Sequence, residues 1–386
     1  MSSSSRRTLI VTDRADFFMP KLLASVALDG WEPLPIDVLR YGAPRAESSP
    51  QAFTDQVAMQ PWPPGVQEFS ADGLDSKVVP GDSGLDAWLD GYGQIAVYSV
   101  NPWNADLINH LVARYPQEQL SVICSDDEIE RHWNYQRHAA QEPQRSAERD
   151  AELRAAFLYP PAVEQAFEGM RRWFIGRTPW EAMLRSGRRA PIELIPHVPP
   201  ILNRMPGLHG VARSAQVYRV VLFPKPSVGR EHFLQAARRI AQTVARERGL
   251  PVEIVSFRND MPTLSSADEG GADGAAPVWL RCHPYPIDEA QYHRIVAAAH
   301  GLVLVPRGGL STIRDAVRYG LDLVSLYPNT PNELAVTADM GLALTPLEAL
   351  CIASPEASQR RSANRAALAR YEFAAVAAFR HAYCPA

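Results

Sequence analysis

The chain has 386 residues, of which 46% are hydrophobic and 21% are charged, and its formal net charge at pH 7 is -4. This composition is typical of globular proteins and excludes a largely disordered chain, while the near-neutral balance gives no sign of a basic nucleic-acid-binding surface. Because single hydrophobic cores rarely extend beyond about 250–300 residues, the length predicts two domains.

The chain carries no targeting or membrane-spanning signal that we recognise. The apolar run TLIVT near the N-terminus is too short for a signal peptide, and no stretch of about 18 apolar residues could cross a membrane. The four cysteines form no CxxC pair, and we interpret Cys124 and Cys282, beside apolar runs, as buried free thiols. We therefore expect a cytoplasmic protein with reduced thiols and no membrane span.

The first half of the chain alternates predicted strands and helices around one long Pro- and Ser-rich stretch, 41–82, which we predict to be irregular. Strands are predicted at 8–12, 94–100, 120–124 and 192–196, and helices at 17–28, 105–115, 141–158 and within 162–187. The first strand and helix are joined by a loop that contains Asp13 and Asp16.

The second half repeats this alternation more regularly. Strands are predicted at 217–223, 251–257, 278–282, 301–306 and 321–327, helices at 232–249, 288–299, 311–320, 332–341 and 356–383, and a flexible loop at 259–276. This spacing indicates βαβ units and doubly wound parallel sheets. The predicted fold is α/β, with two Rossmann-like domains facing a cleft: residues 1–200, residues 201–355, and a terminal helix in 356–386 that returns to the first domain.

The strongest chemical signal lies where the strand at 301–306 ends and a Gly-Gly turn leads into a helix. Ligands bind beyond the carboxyl ends of strands in open α/β sheets, glycines let the backbone approach them, and a helix N-terminus presents N–H groups to phosphate. Ser311 and Thr312 are candidate N-caps, and Arg307 is a candidate bidentate phosphate partner. The predicted diphosphate-binding residues are Arg307, Gly308, Gly309, Ser311 and Thr312. The alternative is a packing turn without a ligand.

This segment resembles the nucleotide-sugar region of GT-B glycosyltransferases. The family pattern is matched by Gly308-Gly309, Ser311-Thr312, Asp315-Ala316, Gly320, and Pro328 followed by Asn329 and Asn332. Arg307 stands where some subfamilies have a histidine, which leaves the class of donor open. The resemblance is good over residues 281–341 and extends to the rest only as architecture. It implies the GT-B fold, a nucleoside-diphosphate sugar as donor, and no metal ion.

Residues 283–309 are also similar to the matching stretch of protein-arginine rhamnosyltransferases and of enterobacterial fucosamine transferases. This resemblance implies that Tyr285 stacks on the donor's base, although a loop aromatic covering the sheet edge is an equal alternative. It also implies an acidic catalytic base in the loop after the first strand. Asp16 is the match and Asp13 the competitor, and both could instead be loop carboxylates without a catalytic role.

Three further groups of residues are candidates for phosphate or metal binding. Lys225, Ser227 and Arg230 follow the first strand of the second domain, where GT-B enzymes often contact phosphate, and a solvated basic loop is the alternative. The run Asp126-Asp127-Glu128 does not have the spacing of a metal-binding DxD motif, so we interpret it as a helix N-terminus. His197, His283 and His300 share no ligand-like spacing, and we predict neither a metal nor a bound cofactor.

The sequence thus predicts a hexosyltransferase-type glycosyltransferase that moves a sugar from a nucleoside diphosphate to an unknown acceptor, with inversion. The acceptor class is open between a small molecule, a protein, a glycan and a nucleic acid. A sugar-nucleotide 2-epimerase of the same fold, a nucleic-acid-modifying glycosyltransferase and a non-catalytic binding protein with a degenerate site are the alternatives, because fold does not fix function.

Overall fold

The computed structural model describes residues 7–13, 16, 18–27, 33–41, 61–70, 83–124, 126–175, 193–195, 211–222, 230–247, 249–257, 278–284, 287–306, 309–350 and 354–384. These residues divide into two compact units. The first unit contains the described residues up to 195 and those from 372 to 384, and the second contains those from 211 to 371.

The first unit is built on a parallel sheet in the order β3-β2-β1-β4-β5-β6-β7. Its elements are β1 (Thr8–Asp13), α1 (Phe18–Val26), β2 (Ile36–Tyr41), β3 (Gln67–Ser70), α2 (Ser83–Leu89), β4 (Gln94–Tyr98), α3 (Ala105–Arg114), β5 (Leu120–Ile123), α4 (Asp126–Gln141), α5 (Ala147–Phe157), α6 (Pro161–Gly169), β6 (Arg172–Phe174) and β7 (Glu193–Ile195). Every described pairing in this sheet is parallel.

Both faces of this sheet are covered by apolar side chains. Along β1, Leu9 and Val11 join one buried cluster while Ile10 joins the other, as the two-residue period of a strand requires. Strands buried on both faces are continuous apolar runs, which is why the segment 8–12 is recognisable in the sequence.

The second unit is built on a parallel sheet in the order β10-β9-β8-β11-β12. Its elements are β8 (Tyr218–Leu222), α7 (Arg230–Ala241), β9 (Val252–Phe257), β10 (Val278–His283), α8 (Glu289–Ala297), β11 (Gly301–Leu304), α9 (Leu310–Arg318), β12 (Asp322–Ser325), α10 (Pro331–Leu334) and α11 (Pro355–Tyr383). Turns of π-helix follow α7 and α10. Each sheet continues in both directions from its first strand, so both units are doubly wound.

The predicted fold class is confirmed: the chain is α/β, with two Rossmann-like doubly wound units, the pair that makes up a GT-B chain. The predicted cleft between them stays a prediction. None of the helices in the described part of the chain is long and apolar enough to cross a membrane.

Three strands of the first sheet were not predicted from the sequence. β2 was not predicted, and β3 lies in the stretch 41–82 that we expected to be irregular. The side chains of β3 are largely exposed, so this edge strand has no apolar pattern that the sequence could reveal. β6 lies within 162–187, which we expected to be helical, because three residues are too few to show a period. The predicted loop at 259–276 lies outside the described residues.

The long terminal helix α11 belongs to both units, since its residues up to Tyr371 are in the second and the rest are in the first. Phe379 and Tyr383 are fully buried against the sheet of the first unit, and their rings pack on Phe174 at centroid distances of 5.9 and 4.7 Å. The Thr8 hydroxyl donates to the Tyr383 carbonyl at 2.8 Å. The C-terminal end of α11 is therefore part of the first unit's core.

We expect Phe379→Ala to lower the free energy of unfolding by ~3–5 kcal/mol, because a fully buried ring is removed. Phe373 on the same helix is 66% exposed, and Phe373→Ala should change stability by no more than about 0.5 kcal/mol. Urea unfolding followed by tryptophan fluorescence measures both. Equal losses in the two variants would contradict the packing described.

Candidate functional site

Each sheet has a point at which its strand order reverses, and this is where open α/β sheets bind ligands. In the second unit the reversal lies between β8 and β11, because the chain runs outward through β9 and β10 and then returns to the other side of β8. Lys225 and Ser227 follow β8 in the chain, and Arg307 follows β11. The residues predicted to bind phosphate thus come from the two segments that flank the reversal.

The N-terminus of α9 is formed by Gly309, which has the left-handed backbone angles φ 68° and ψ 23°. The first helical hydrogen bond is donated by the Ile313 amide to the Gly309 carbonyl, at 3.0 Å. The amides of Leu310, Ser311 and Thr312 therefore have no acceptor within the helix. Such amides, together with the positive end of the helix dipole, favour binding of an anion.

The interpretation of Ser311 and Thr312 as N-caps is wrong. Gly309 is the capping residue, and the two hydroxyl residues are the second and third of the helix. A glycine tolerates the left-handed conformation, so the helix starts one residue earlier than expected. The Thr312 hydroxyl is buried and accepts a hydrogen bond of 2.8 Å from the Tyr292 hydroxyl on α8, while Ser311 is partly exposed. Ser311 is thus the more accessible of the two hydroxyls.

The carboxyl end of β11 is held by the segment that follows β12. The buried Asn332 donates from Nδ2 to the Val305 carbonyl at 2.8 Å and from its backbone amide to the Pro306 carbonyl at 3.3 Å. Beside it, the Ser325 hydroxyl donates to Glu333 Oε2 at 2.6 Å. The family pattern singled out Asn332, but its role as an anchor for the end of β11 is visible only in the structure.

The first unit has the matching reversal between β1 and β4. Asp13 is the last residue of β1 and is partly exposed, whereas Asp16 is buried. Asp16 Oδ2 accepts hydrogen bonds from the Thr12 hydroxyl at 2.6 Å and from the Met19 amide, in the first turn of α1, at 3.1 Å. The structure thus gives Asp16 a role in orienting α1 whether or not it acts as a base.

A strained turn follows β4 on the other side of this reversal, and the sequence analysis missed it. Ser99 is buried and has φ 64°, a conformation that costs a non-glycine residue ~1–2 kcal/mol. Asn104 Nδ2 donates to the Ser99 carbonyl at 2.9 Å, and Asn101 Nδ2 donates to the Ser99 hydroxyl at 2.8 Å. Strain of this kind is concentrated at functional sites. Its only signal in the sequence is the Asn-Pro-Trp-Asn segment after a predicted strand.

Several predicted site residues cannot be placed. Arg307, Gly308, Tyr285, Lys225, Ser227 and His197 lie outside the described residues. Arg230 is the first residue of α7, and its side chain is likewise not described. Their assignments stay predictions.

The other candidates have structural explanations. Asp126, Asp127 and Glu128 are the first three residues of α4, as the helix-terminus interpretation expected. In the part of the chain that the structure describes, no group of three or more His, Cys, Asp or Glu residues could hold a metal ion.

The histidines are explained by burial. His300 Nδ1 accepts from the Arg219 amide and Nε2 donates to the Ser214 carbonyl, both at 3.0 Å, and burial lowers the pKa of its ring to about 4. His283 ends β10, and burial followed by the charge of Arg281 lowers its pKa as well. Both rings are therefore neutral at pH 7.

Comparison with known proteins gives likenesses of structure only. No protein-family model matches the chain, and no curated protein matches it in sequence. Phytolacca americana UGT2, solved with UDP-2fluoro-glucose and pterostilbene, is 11% identical over 98% of this chain and 94% of its own, with a TM-score of 0.46.

Two bacterial structures are similar to the same degree. A putative UDP-N-acetylglucosamine 2-epimerase from Listeria monocytogenes is 13% identical over 98% of this chain and 95% of its own, with a TM-score of 0.48. The glycosyltransferase SnogD from Streptomyces nogalater is 12% identical over 97% and 98% of the two chains, with a TM-score of 0.42. Likenesses at this level do not establish a shared activity.

Gly309 and Gly341 form a matched pair that separates backbone strain from ligand binding. Both have positive φ, 68° and 67°, and a Cβ on either would meet nothing within 4 Å. We expect each glycine-to-alanine variant to lose ~1–2 kcal/mol of stability, since only the backbone conformation is penalised. Calorimetric titration with UDP, GDP and TDP should show weaker binding only in Gly309→Ala. An equal loss of affinity in Gly341→Ala would contradict the assignment of the nucleotide site to the N-terminus of α9.

Proposed function

We propose that this chain is a glycosyltransferase that moves a sugar from a nucleoside diphosphate to an acceptor, with inversion and without a metal ion. The observation that carries the proposal is the position of the α9 N-terminus. Its first amides, which have no acceptor within the helix, lie at the reversal of the second sheet, after the strand that ends before Arg307. An anion-binding element at the ligand-binding point of a doubly wound sheet is what a diphosphate requires.

In this proposal the second unit binds the donor. The amides of α9 and the guanidinium of Arg307 stabilise the negative charge that grows on the diphosphate as the bond to the anomeric carbon breaks. Arg307 supplies two N–H donors in a geometry that fits a phosphate. Lys225, Ser227 and Arg230 add contacts from the segment after β8, and Tyr285 stacks on the base of the nucleotide.

The first unit supplies the acceptor side and the base. The acceptor oxygen loses its proton to a carboxylate as it attacks the anomeric carbon, and the nucleoside diphosphate leaves. Asp16 is our choice for this base, because it follows β1 at the reversal of the first sheet. Asp13 is the competitor, and the buried turn at Ser99 forms the other side of the same reversal.

A sugar-nucleotide 2-epimerase is the second candidate, because it shares the requirement for a diphosphate site. The two functions differ in their need for an acceptor. An epimerase converts the nucleotide sugar without an acceptor, and a transferase needs an acceptor. A binding protein catalyses neither epimerisation nor transfer. Product analysis by NMR with and without panels of small-molecule, glycan, peptide and nucleic-acid acceptors separates these three classes, distinguishes a nucleic-acid-modifying transferase from other transferases, and gives the anomeric configuration of the product.

The donor nucleotide is found by thermal shift with UDP, GDP, TDP and their sugars. A ligand that binds only the folded state should stabilise it by ~2.7 kcal/mol at a hundredfold excess over its Kd. We expect Arg307→Ala to weaken that ligand about ten- to a hundredfold, because a charge-assisted pair contributes ~1.5–3 kcal/mol. Unchanged affinity in a folded Arg307→Ala variant would exclude this residue from the site.

We expect Asp16→Asn to keep nucleotide binding and to lose transfer by about 10²–10⁴-fold, the usual contribution of a general base. Hydrolysis of the donor is the first assay, since the acceptor is unknown. Thr12→Val is the matched control. It removes the 2.6 Å hydrogen bond that Thr12 donates to Asp16 and keeps the carboxylate, so it reports the structural role alone.

If Asp16→Asn stays fully active while Asp13→Asn or Glu128→Gln is inactive, the role of base is assigned to the residue whose variant is inactive. Activity in all three variants would mean that the enzyme is retaining or uses a different base. Equal losses in Thr12→Val and Asp16→Asn would assign Asp16 to the orientation of α1.

A further inference from the structure

Four arginines come together at the amino-terminal edge of the second sheet, and we call them the arginine cluster: Arg213, Arg360, Arg361 and Arg365. At their centre is Asp322, the first residue of β12, whose carboxylate is fully buried. It accepts hydrogen bonds from Arg361 Nη2 at 2.6 Å and from Arg360 Nη2 at 3.4 Å. The Asp322 carboxylate is therefore already shared by two guanidinium groups of the cluster.

The other two arginines surround the end of α9, just before β12. Arg213 donates to the carbonyls of Tyr319 and, at 3.0 Å, of Gly320, and it reaches the Ala297 carbonyl at the end of α8 at 3.4 Å. Arg365 Nη1 lies over Gly320, only 2.7 Å from the position that a Cβ would occupy there. The four guanidinium groups thus belong to one patch.

The charges in this patch do not balance. Among the groups named above, four guanidinium groups face the carboxylate of Asp322, and the two helix C-termini add only ~0.5 negative charge each. The net surplus is about two positive charges. Consistent with this, burial and then the charge of Arg361 lower the pKa of Arg213. Mutual repulsion of arginines destabilises a fold unless an anion offsets it.

Two of the arginines have capacity for a ligand. Arg360 Nε is buried and has no hydrogen-bond partner in the structure. Arg365 is exposed and forms no salt bridge with any residue in the described part of the chain. Guanidinium groups bind the oxygens of phosphate-like anions in a bidentate manner.

We propose that the arginine cluster is a binding site for a compact oxyanion of the phosphate class. Its residues come from the segment before β8 and from α11, and they surround the turn between α9 and β12. An anion held between them ties the N-terminal part of α11 to the second unit. The site is on the edge of the sheet opposite to the N-terminus of α9, so it is independent of the proposed donor site.

The test measures binding of inorganic phosphate by calorimetry and by thermal unfolding, with chloride at the same ionic strength as reference. We expect saturable binding to the wild-type chain and a rise in melting temperature that chloride does not reproduce. Arg360→Gln/Arg365→Gln should weaken phosphate at least tenfold, because two charge-assisted partners are lost. Arg365→Gln alone, which breaks no ion pair, should weaken it about tenfold and serves if the double variant does not fold.

Two control variants locate the site. Arg370→Gln removes an exposed arginine from the same helix and should leave phosphate binding unchanged. Arg307→Ala removes the predicted donor-site arginine, so phosphate bound beside α9 should be lost in this variant while phosphate bound at the arginine cluster remains. The proposal is overturned if chloride stabilises the chain equally, if Arg365→Gln binds phosphate as tightly as the wild-type chain, or if phosphate binding is lost only in Arg307→Ala.

Discussion

The polarity of parallel strands governs both places at which we propose that this chain binds an anion. Parallel neighbours need crossover connections, so each helix begins near the carboxyl edge of its sheet and ends near the amino edge. At the carboxyl edge of the second sheet, the first amides of α9 have no helical acceptor. At the amino edge, the last carbonyls of α8 and α9 need donors, and Arg213 provides them. This need for donors accounts for Arg213, one of the four arginines at that edge.

The backbone conformation of single residues determines the structure of the segments that follow the strands at the carboxyl edges. Gly309 adopts a left-handed conformation at no steric cost and lets α9 start at Leu310. Ser99 adopts the same region at a cost, and two asparagine side chains compensate through hydrogen bonds to its carbonyl and hydroxyl. The two units thus use different means at equivalent positions. The first unit has a strained polar turn at Ser99, and the second has a helix capped by Gly309.

Helix α11 gives the two units a common element. Its N-terminal part carries Arg360 and Arg361, which bind Asp322 in the second unit. Its C-terminal part buries Phe379 and Tyr383 in the first unit. The same helix therefore needs a polar, cationic face at one end and an aromatic face at the other. An anion in the arginine cluster would act on this helix without contact to the proposed donor site.

The fold class and most of the elements can be predicted from the order of the residues alone. A buried strand such as β1 or β11 is a short apolar run and an amphipathic helix repeats every 3.6 residues, so both are visible in the order of side chains. The glycines after β11 and the acidic residues after β1 could be chosen as site candidates for the same reason, since they directly follow such runs. β3 could not be found, because an exposed edge strand is held by backbone hydrogen bonds that leave no pattern in its side chains.

The tertiary structure shows which of these candidates also form hydrogen bonds that hold the fold together. Asp16 is bound by Thr12 and by the first turn of α1, Thr312 is bound by Tyr292, and Asn332 holds the end of β11. The arginine cluster is the extreme case, because Arg213 contacts residues more than 100 positions away in the chain. Local sequence determines which face of an element is apolar. The order of the strands, which follows from packing of the whole chain, determines which strand ends and which charges meet.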